Sequence, residues 1–74
     1  MPTTADSLSL VVNGESRTAP AGSSLGDLLR RLDLDPRLVV VERNREILRD
    51  RDTFDALLLA DGDVLELVHF VGGG

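Results

Sequence analysis

The chain has no cysteine and no lysine, and each absence removes a class of chemistry. Without cysteine there are no disulfides, no thiolate metal sites and no thiol nucleophile. Without lysine, all 8 basic residues are arginine, and no side-chain amine exists to accept an acyl group. Histidine occurs once, as His69, with no cysteine or second histidine to complete a metal site, so a structural or solvated role is expected for it. Long hydrophobic runs are missing too. The stretches "LVVV" (Leu38 to Val41) and "ALLLA" (Ala56 to Ala60) fall far short of the roughly 20 residues that cross a bilayer. The opening "MPTTADS" has neither the basic start nor the apolar run of a secretion signal, so residues 1–7 read as a loose tail of a cytoplasmic protein. Positive charge is scarce: the formal net charge is -5 and the isoelectric point about 4.5. That balance argues against a phosphate-binding surface and suits a basic protein partner better than nucleic acid or membrane.

What is present is enough for one small core. With 74 residues, 42% of them hydrophobic, the chain is expected to form a single domain, a monomer on its own, that buries about 60% of the unfolded surface. Leu8 to Val12 read as a strand and meet Asn13-Gly14, the strongest short hairpin signal, so "ESRTA" should return antiparallel. Ser24 with Asp27 three residues on makes a capping box, and Leu25, Leu28, Leu29 and Leu32 then recur on one helical face. Asp35-Pro36 should end the helical region. "LVVVERN" reads as a β-branched strand, "EILRD" as a short edge strand, "DRDTF" as one helical turn capped by Asp50 or Asp52, and "VLELVHFV" as the last strand after the Asp61-Gly62-Asp63 turn.

One architecture buries these pieces economically. It is an α+β fold with a mixed sheet of four to five strands, the first and last strands adjacent and parallel at its center, and one main helix across one face: the ubiquitin-like β-grasp. Residues 8–71 would form the domain and 72–74 a flexible glycine tail. Central strands are paired on both sides, which accounts for the apolar character of the two chain-end strands.

The polar residues offer no catalytic constellation. The "DRD" and "DGD" carboxylates lack the spacing and the final bidentate glutamate of a calcium loop, and no serine stands in a nucleophile-elbow context. No metal site or bound cofactor is expected. The end of the sequence differs: in "LVHFVGGG" an apolar strand passes directly into three glycines. Such a tail extends up to about 10 Å, carries no Cβ, and enters a channel too narrow for other residues. It carries the α-carboxylate of Gly74. A carboxylate becomes an acyl donor only after its oxygen is made a leaving group, as ATP does by forming an acyl-adenylate.

The "VNGE" hairpin, "SLGDLL" helix, "VVVERN" strand and "LADGDVLELVHFVGGG" terminus together resemble the bacterial ThiS family of sulfur carriers in thiamine biosynthesis, from Leu8 to Gly74. The resemblance implies that an E1-like enzyme of the ThiF type, using ATP and magnesium, adenylates Gly74. Sulfur then replaces the adenylate to give a thiocarboxylate, and a thiazole synthase of the ThiG type takes that sulfur. Gly73 carries over as the slender approach to Gly74, and Gly72 is one glycine beyond the minimal pair. A chain without cysteine cannot hold sulfur on a thiol, which agrees with transport on the terminus. Two alternatives remain at this point: the small subunit of molybdopterin synthase, with the same fold and diglycine, or another ubiquitin-like sulfur carrier or modifier; and, of another class, a passive β-grasp interaction domain.

Period-two alternation also predicts a recognition surface. If Leu65 and Leu67 face the helix, Glu66, Val68 and Phe70 face the other way, as do Val40 beside Glu42 and Val11 beside Ser9. Val11, Val40, Val68 and Phe70 are therefore expected to cluster on the uncovered face as a docking patch that leaves Gly72, Gly73 and Gly74 free to enter a partner's active site.

Overall fold

Two left-handed residues, Asn13 (φ 51°) and Gly14 (φ 81°), turn strand β1 (Ser7–Val12) into β2 (Glu15–Pro20), the pair of conformations a type I′ hairpin requires. The computed structural model describes residues 7–70. The expected N-terminal tail and the glycine tail lie outside them, except for Ser7, which opens β1.

Helix α1 (Leu25–Arg31) starts at the capping box anticipated from its sequence. Asp27 N–H donates to Ser24 Oγ (3.1 Å) and Ser24 N–H to Asp27 Oδ2 (3.0 Å), so two orphan donors of the first turn are satisfied reciprocally. The Asp27 carboxyl titrates below its ordinary value because it accepts that backbone bond and a second bond from Arg30. Leu25, Leu28 and Leu29 are buried, and Leu32 packs partly buried against the same core.

The helix ends earlier than Asp35-Pro36 suggests. Asp33 takes φ 61°, its N–H returns to Arg30 O and Leu34 N–H to Leu29 O, which is a Schellman arrangement with aspartate in the place glycine usually fills. Pro36 instead begins a short 3₁₀ turn (Pro36–Leu38) that Asp35 caps through Arg37 N–H.

Strand β3 (Val39–Arg43) then runs into β4 (Glu46–Leu48), a 3₁₀ turn follows at Arg51–Thr53, and β5 (Val64–His69) closes the sheet. At the second 3₁₀ turn neither aspartate caps with its side chain; Thr53 Oγ donates to the Asp50 carbonyl instead. Strand order is β2-β1-β5-β3-β4, with β1 and β5 parallel and the other pairs antiparallel. This is the β-grasp layout, an α+β fold with the chain-end strands adjacent in the middle. Leu10 and Val12 of β1, Val39 and Val41 of β3, and Leu65 and Leu67 of β5 join the helical leucines, Phe54 and Leu59 in one core. Each of those strands turns alternate residues inward, so one face of the sheet is covered and the other is left to solvent. Among the described residues, no helix is long and apolar enough to cross a membrane.

Candidate functional site

The glycines that would carry chemistry follow β5, so the site is first a question of how β5 is held. Its neighbors are β1 on one side and β3 on the other. Toward β3, the bonds from Asn44 N–H to Val64 O and from Phe70 N–H to Leu38 O, both 2.8 Å, fix which residues of β5 point their backbone that way. Leu67 lies out of phase with them, so its N–H and C=O point toward β1. There β1 has already turned, and the side chain of Asn13 fills the place of a strand residue. Its Oδ1 accepts from Leu67 N–H at 2.7 Å and its Nδ2 donates to Leu67 O at 3.2 Å. β5 is thus held toward β1 through Leu67 and toward β3 as far as Phe70, the last described residue. Gly72, Gly73 and Gly74 lie outside the described residues.

The other end of β5 is fixed by a buried carboxylate. Asp63 accepts from Ala60 N–H at 2.8 Å, from Asn44 Nδ2 at 3.1 Å and from Arg43 Nε at 3.0 Å. Burial pushes its carboxyl up, but the bonds from Ala60, Asn44 and Arg43 outweigh that and leave it below the ordinary value. The second aspartate of "DGD" is therefore a tether between the turn and the end of β3, as turn duty would require.

The uncovered face carries an apolar surface whose shape departs from the sequence expectation. Val40 stands directly opposite Val68, and Phe70 lies opposite Leu38 in the next outward-facing row. Leu38, Val68 and Phe70 are 41%, 57% and 52% exposed, far from the burial of the inner leucines. Val11 does not join them. The parallel register pairs it with Val64, four residues before Val68 and so about 13 Å away along the strand. Expecting Val11 in the cluster required β1 to run alongside the end of β5, whereas β1 stops at Val12. Between the two apolar groups lie Glu66 and Glu42, directly opposite each other, with Ile47 of β4 beyond Glu42. Val64, Leu38 and Ile47 are surface members that the sequence reading passed over. The alternation that placed Glu66 and Val40 outside gives Val64 and Leu38 at once, but Ile47 needs the β3–β4 register.

His69 is exposed at the end of β5. Among the described residues, no group of three or more His, Cys, Asp or Glu could hold a metal ion.

The family model described as "ThiS family" matches residues 10–74. The Sulfur carrier protein ThiS of Bacillus subtilis is 45% identical over 51 residues, which is 69% of this chain and 76% of that protein. The Thiazole synthase of Magnetococcus marinus is 44% identical over 63 residues, and that of Paramagnetospirillum magneticum 43% over 67. These cover 85% and 90% of this chain but only 19% and 20% of the two synthases, so the chain spans about a fifth of their length. The crystal structure of the thiamine biosynthesis protein ThiS from Geobacter metallireducens superposes with a TM-score of 0.73 at 36% identity, covering 90% of this chain and all of that one.

Proposed function

The chain belongs to the ThiS family, and from that premise we propose that it carries the sulfur of thiamine biosynthesis as a thiocarboxylate on Gly74. As a member of that family it is a sulfur carrier of thiamine biosynthesis, and a carrier rather than a catalyst. The observation that supports the terminal chemistry most is the extent of the match, which runs through the final glycine of a segment that continues directly from the central strand.

In this reading an E1-like enzyme binds the tail together with ATP and magnesium. A carboxylate oxygen of Gly74 attacks the α-phosphorus, pyrophosphate leaves, and the acyl-adenylate forms. A sulfur nucleophile then displaces AMP, leaving C–S where C–O had been. Thiazole synthase accepts that sulfur, a partner suggested by the two relatives of that name. The chain's own contribution is mechanical. β5, pinned at both ends by Asp63 and Asn13, holds the base of the tail at a fixed place on a rigid sheet. Gly73 and Gly72 add reach without bulk.

Docking is assigned to the uncovered face around Val40, Val68 and Phe70, with Leu38 alongside, because it adjoins the base of the tail. Deleting Gly74 tests the reading. Thiocarboxylate formation should cease while the melting temperature is unchanged, since one terminal residue adds almost nothing to the core. Sulfur transfer by the truncated chain would contradict it.

A further inference from the structure

Glu42 and Glu66 place two like charges directly opposite each other on neighboring strands. They are partners in the β3–β5 register, two residues from the Asn44–Val64 pair that exchanges a backbone bond, so they too form a hydrogen-bonded pair with Cα atoms about 5.5 Å apart. Like charges directly opposite in a sheet are destabilizing. Neither carboxylate forms an ion pair with any described residue, although aspartates elsewhere do so with Arg30, Arg37 and Arg43. Arg45 lines the same hollow with Asn44 and Val64 but pairs with neither. Its own backbone is held at φ 74°, a conformation that favors glycine. The pair also sits between two apolar groups of the uncovered face, half-buried Val11 with exposed Val64 on one side and half-buried Val40 with exposed Val68 on the other.

We propose that Glu42 and Glu66 form an acidic clamp that receives an arginine or lysine from thiazole synthase when that enzyme docks on the uncovered face. The proposal rests on the docking assigned above and names the partner chemistry that docking requires. A second copy of the chain is a poor occupant. The net charge is -5, and a two-fold pairing of this face would bring four carboxylates together in a desolvated center. A cation between the two carboxylates turns the repulsion of the free carrier into attraction in the complex, and the flanking valines exclude water from it. Cross-strand repulsion in the free protein is relieved only when the partner is bound, so the pair contributes to recognition at the expense of fold stability.

The test measures binding of the full-length carrier, with its tail unactivated, to the thiazole synthase of the same organism by fluorescence anisotropy, at ionic strengths from about 0.05 to 0.5 M. Three variants are compared with wild type: Glu42→Gln with Glu66→Gln, Val68→Asp, and Val68→Asp added to the double change. The double glutamine variant should bind about tenfold more weakly at low salt, lose most of the salt dependence, and melt no lower than wild type. Wild-type affinity at every salt, an equal loss at every salt, or a lower melting temperature would each overturn the clamp. Val68→Asp separates this from the docking reading itself. Weak binding by Val68→Asp with normal binding by the glutamine variant removes the clamp alone, whereas normal binding by all three variants removes the docking face with it.

Discussion

The side chain of Asn13 bonds both the N–H and the C=O of Leu67, taking the place of a strand residue that β1 does not supply. One residue therefore does two things: its left-handed backbone makes the hairpin and its amide closes the ladder that steadies the end of β5. The two roles separate in Asn13→Gly, which keeps the φ of 51° at no steric cost and removes the amide. It should lower stability by about 1–2 kcal/mol and speed hydrogen exchange at Leu67 N–H, because the backbone groups facing β1 lose their partner. Unchanged exchange at Leu67 would show that the side-chain bonds do not protect it.

Gly26 owes its identity to the loop beneath the helix. A Cβ at this position would collide with Asp55 Oδ1 and lie 3.2 Å from Asp55 Cα. Gly26 N–H bonds Phe54 O at 2.9 Å, and Asp55 in turn pairs with Arg30 at 2.9 Å. In an open helix glycine-to-alanine raises stability by roughly 0.5–1 kcal/mol. Here Gly26→Ala should reverse that sign and cost about 1–3 kcal/mol through overpacking. The penalty should shrink in an Asp55→Ala background. A double-mutant cycle with no coupling would remove the contact as the reason for the glycine.

Acid stability follows from three carboxylates whose titration folding lowers, Asp27, Asp35 and Asp63. Asp35, held by Arg37, titrates at about 2 instead of its ordinary 3.8, and Asp63 is lowered as well. A carboxyl lowered on folding stabilizes the native state above its unfolded value, and that stability is lost as pH falls through the folded value. Melting temperature should therefore fall as pH drops from about 4 toward 2. Asp63→Asn should flatten part of that decline and cost about 1–3 kcal/mol at neutral pH, because Arg43 then faces a neutral group. A variant with the wild-type acid profile would show that Asp63 does not contribute to it.

Phe70, 52% exposed, should be dispensable for folding and needed for recognition. Phe70→Asp should leave the circular dichroism spectrum and melting temperature close to wild type while slowing adenylation by the activating enzyme. Normal activation of a normally folded variant would exclude Phe70 from the docking surface.

Much of this arrangement is legible in the sequence, and the exceptions share a cause. The hairpin at Asn13-Gly14, the capping box at Ser24 and Asp27, and the inward-facing Leu65 and Leu67 depend on residues near one another in the chain, and the structure has all three. The helix end at Asp33 was hidden because aspartate there does what glycine more often does. The place of Val11 is not legible in the sequence for a different reason. Alternation says which face a residue takes but not how far along a neighbor it falls, and only the parallel register sets Val11 beside Val64. The face-to-face Glu42 and Glu66 likewise depend on a register between strands separated by the whole β4 and 3₁₀ region. The final glycines stand out in the sequence for their chemistry, as a slender acyl terminus, independently of packing.

The central claim is that sulfur travels on the terminal carboxylate, and the mass of the intact chain tests it most directly. The carrier is incubated with ATP, magnesium, its activating enzyme and a sulfur source, and its mass is read before and after. The account predicts a gain equal to replacing one oxygen by sulfur, located by fragmentation to Gly74 and abolished when ATP is withheld. A chain whose mass stays unchanged under conditions that thiocarboxylate an established ThiS carrier, or whose added sulfur lies on any other residue, would contradict it.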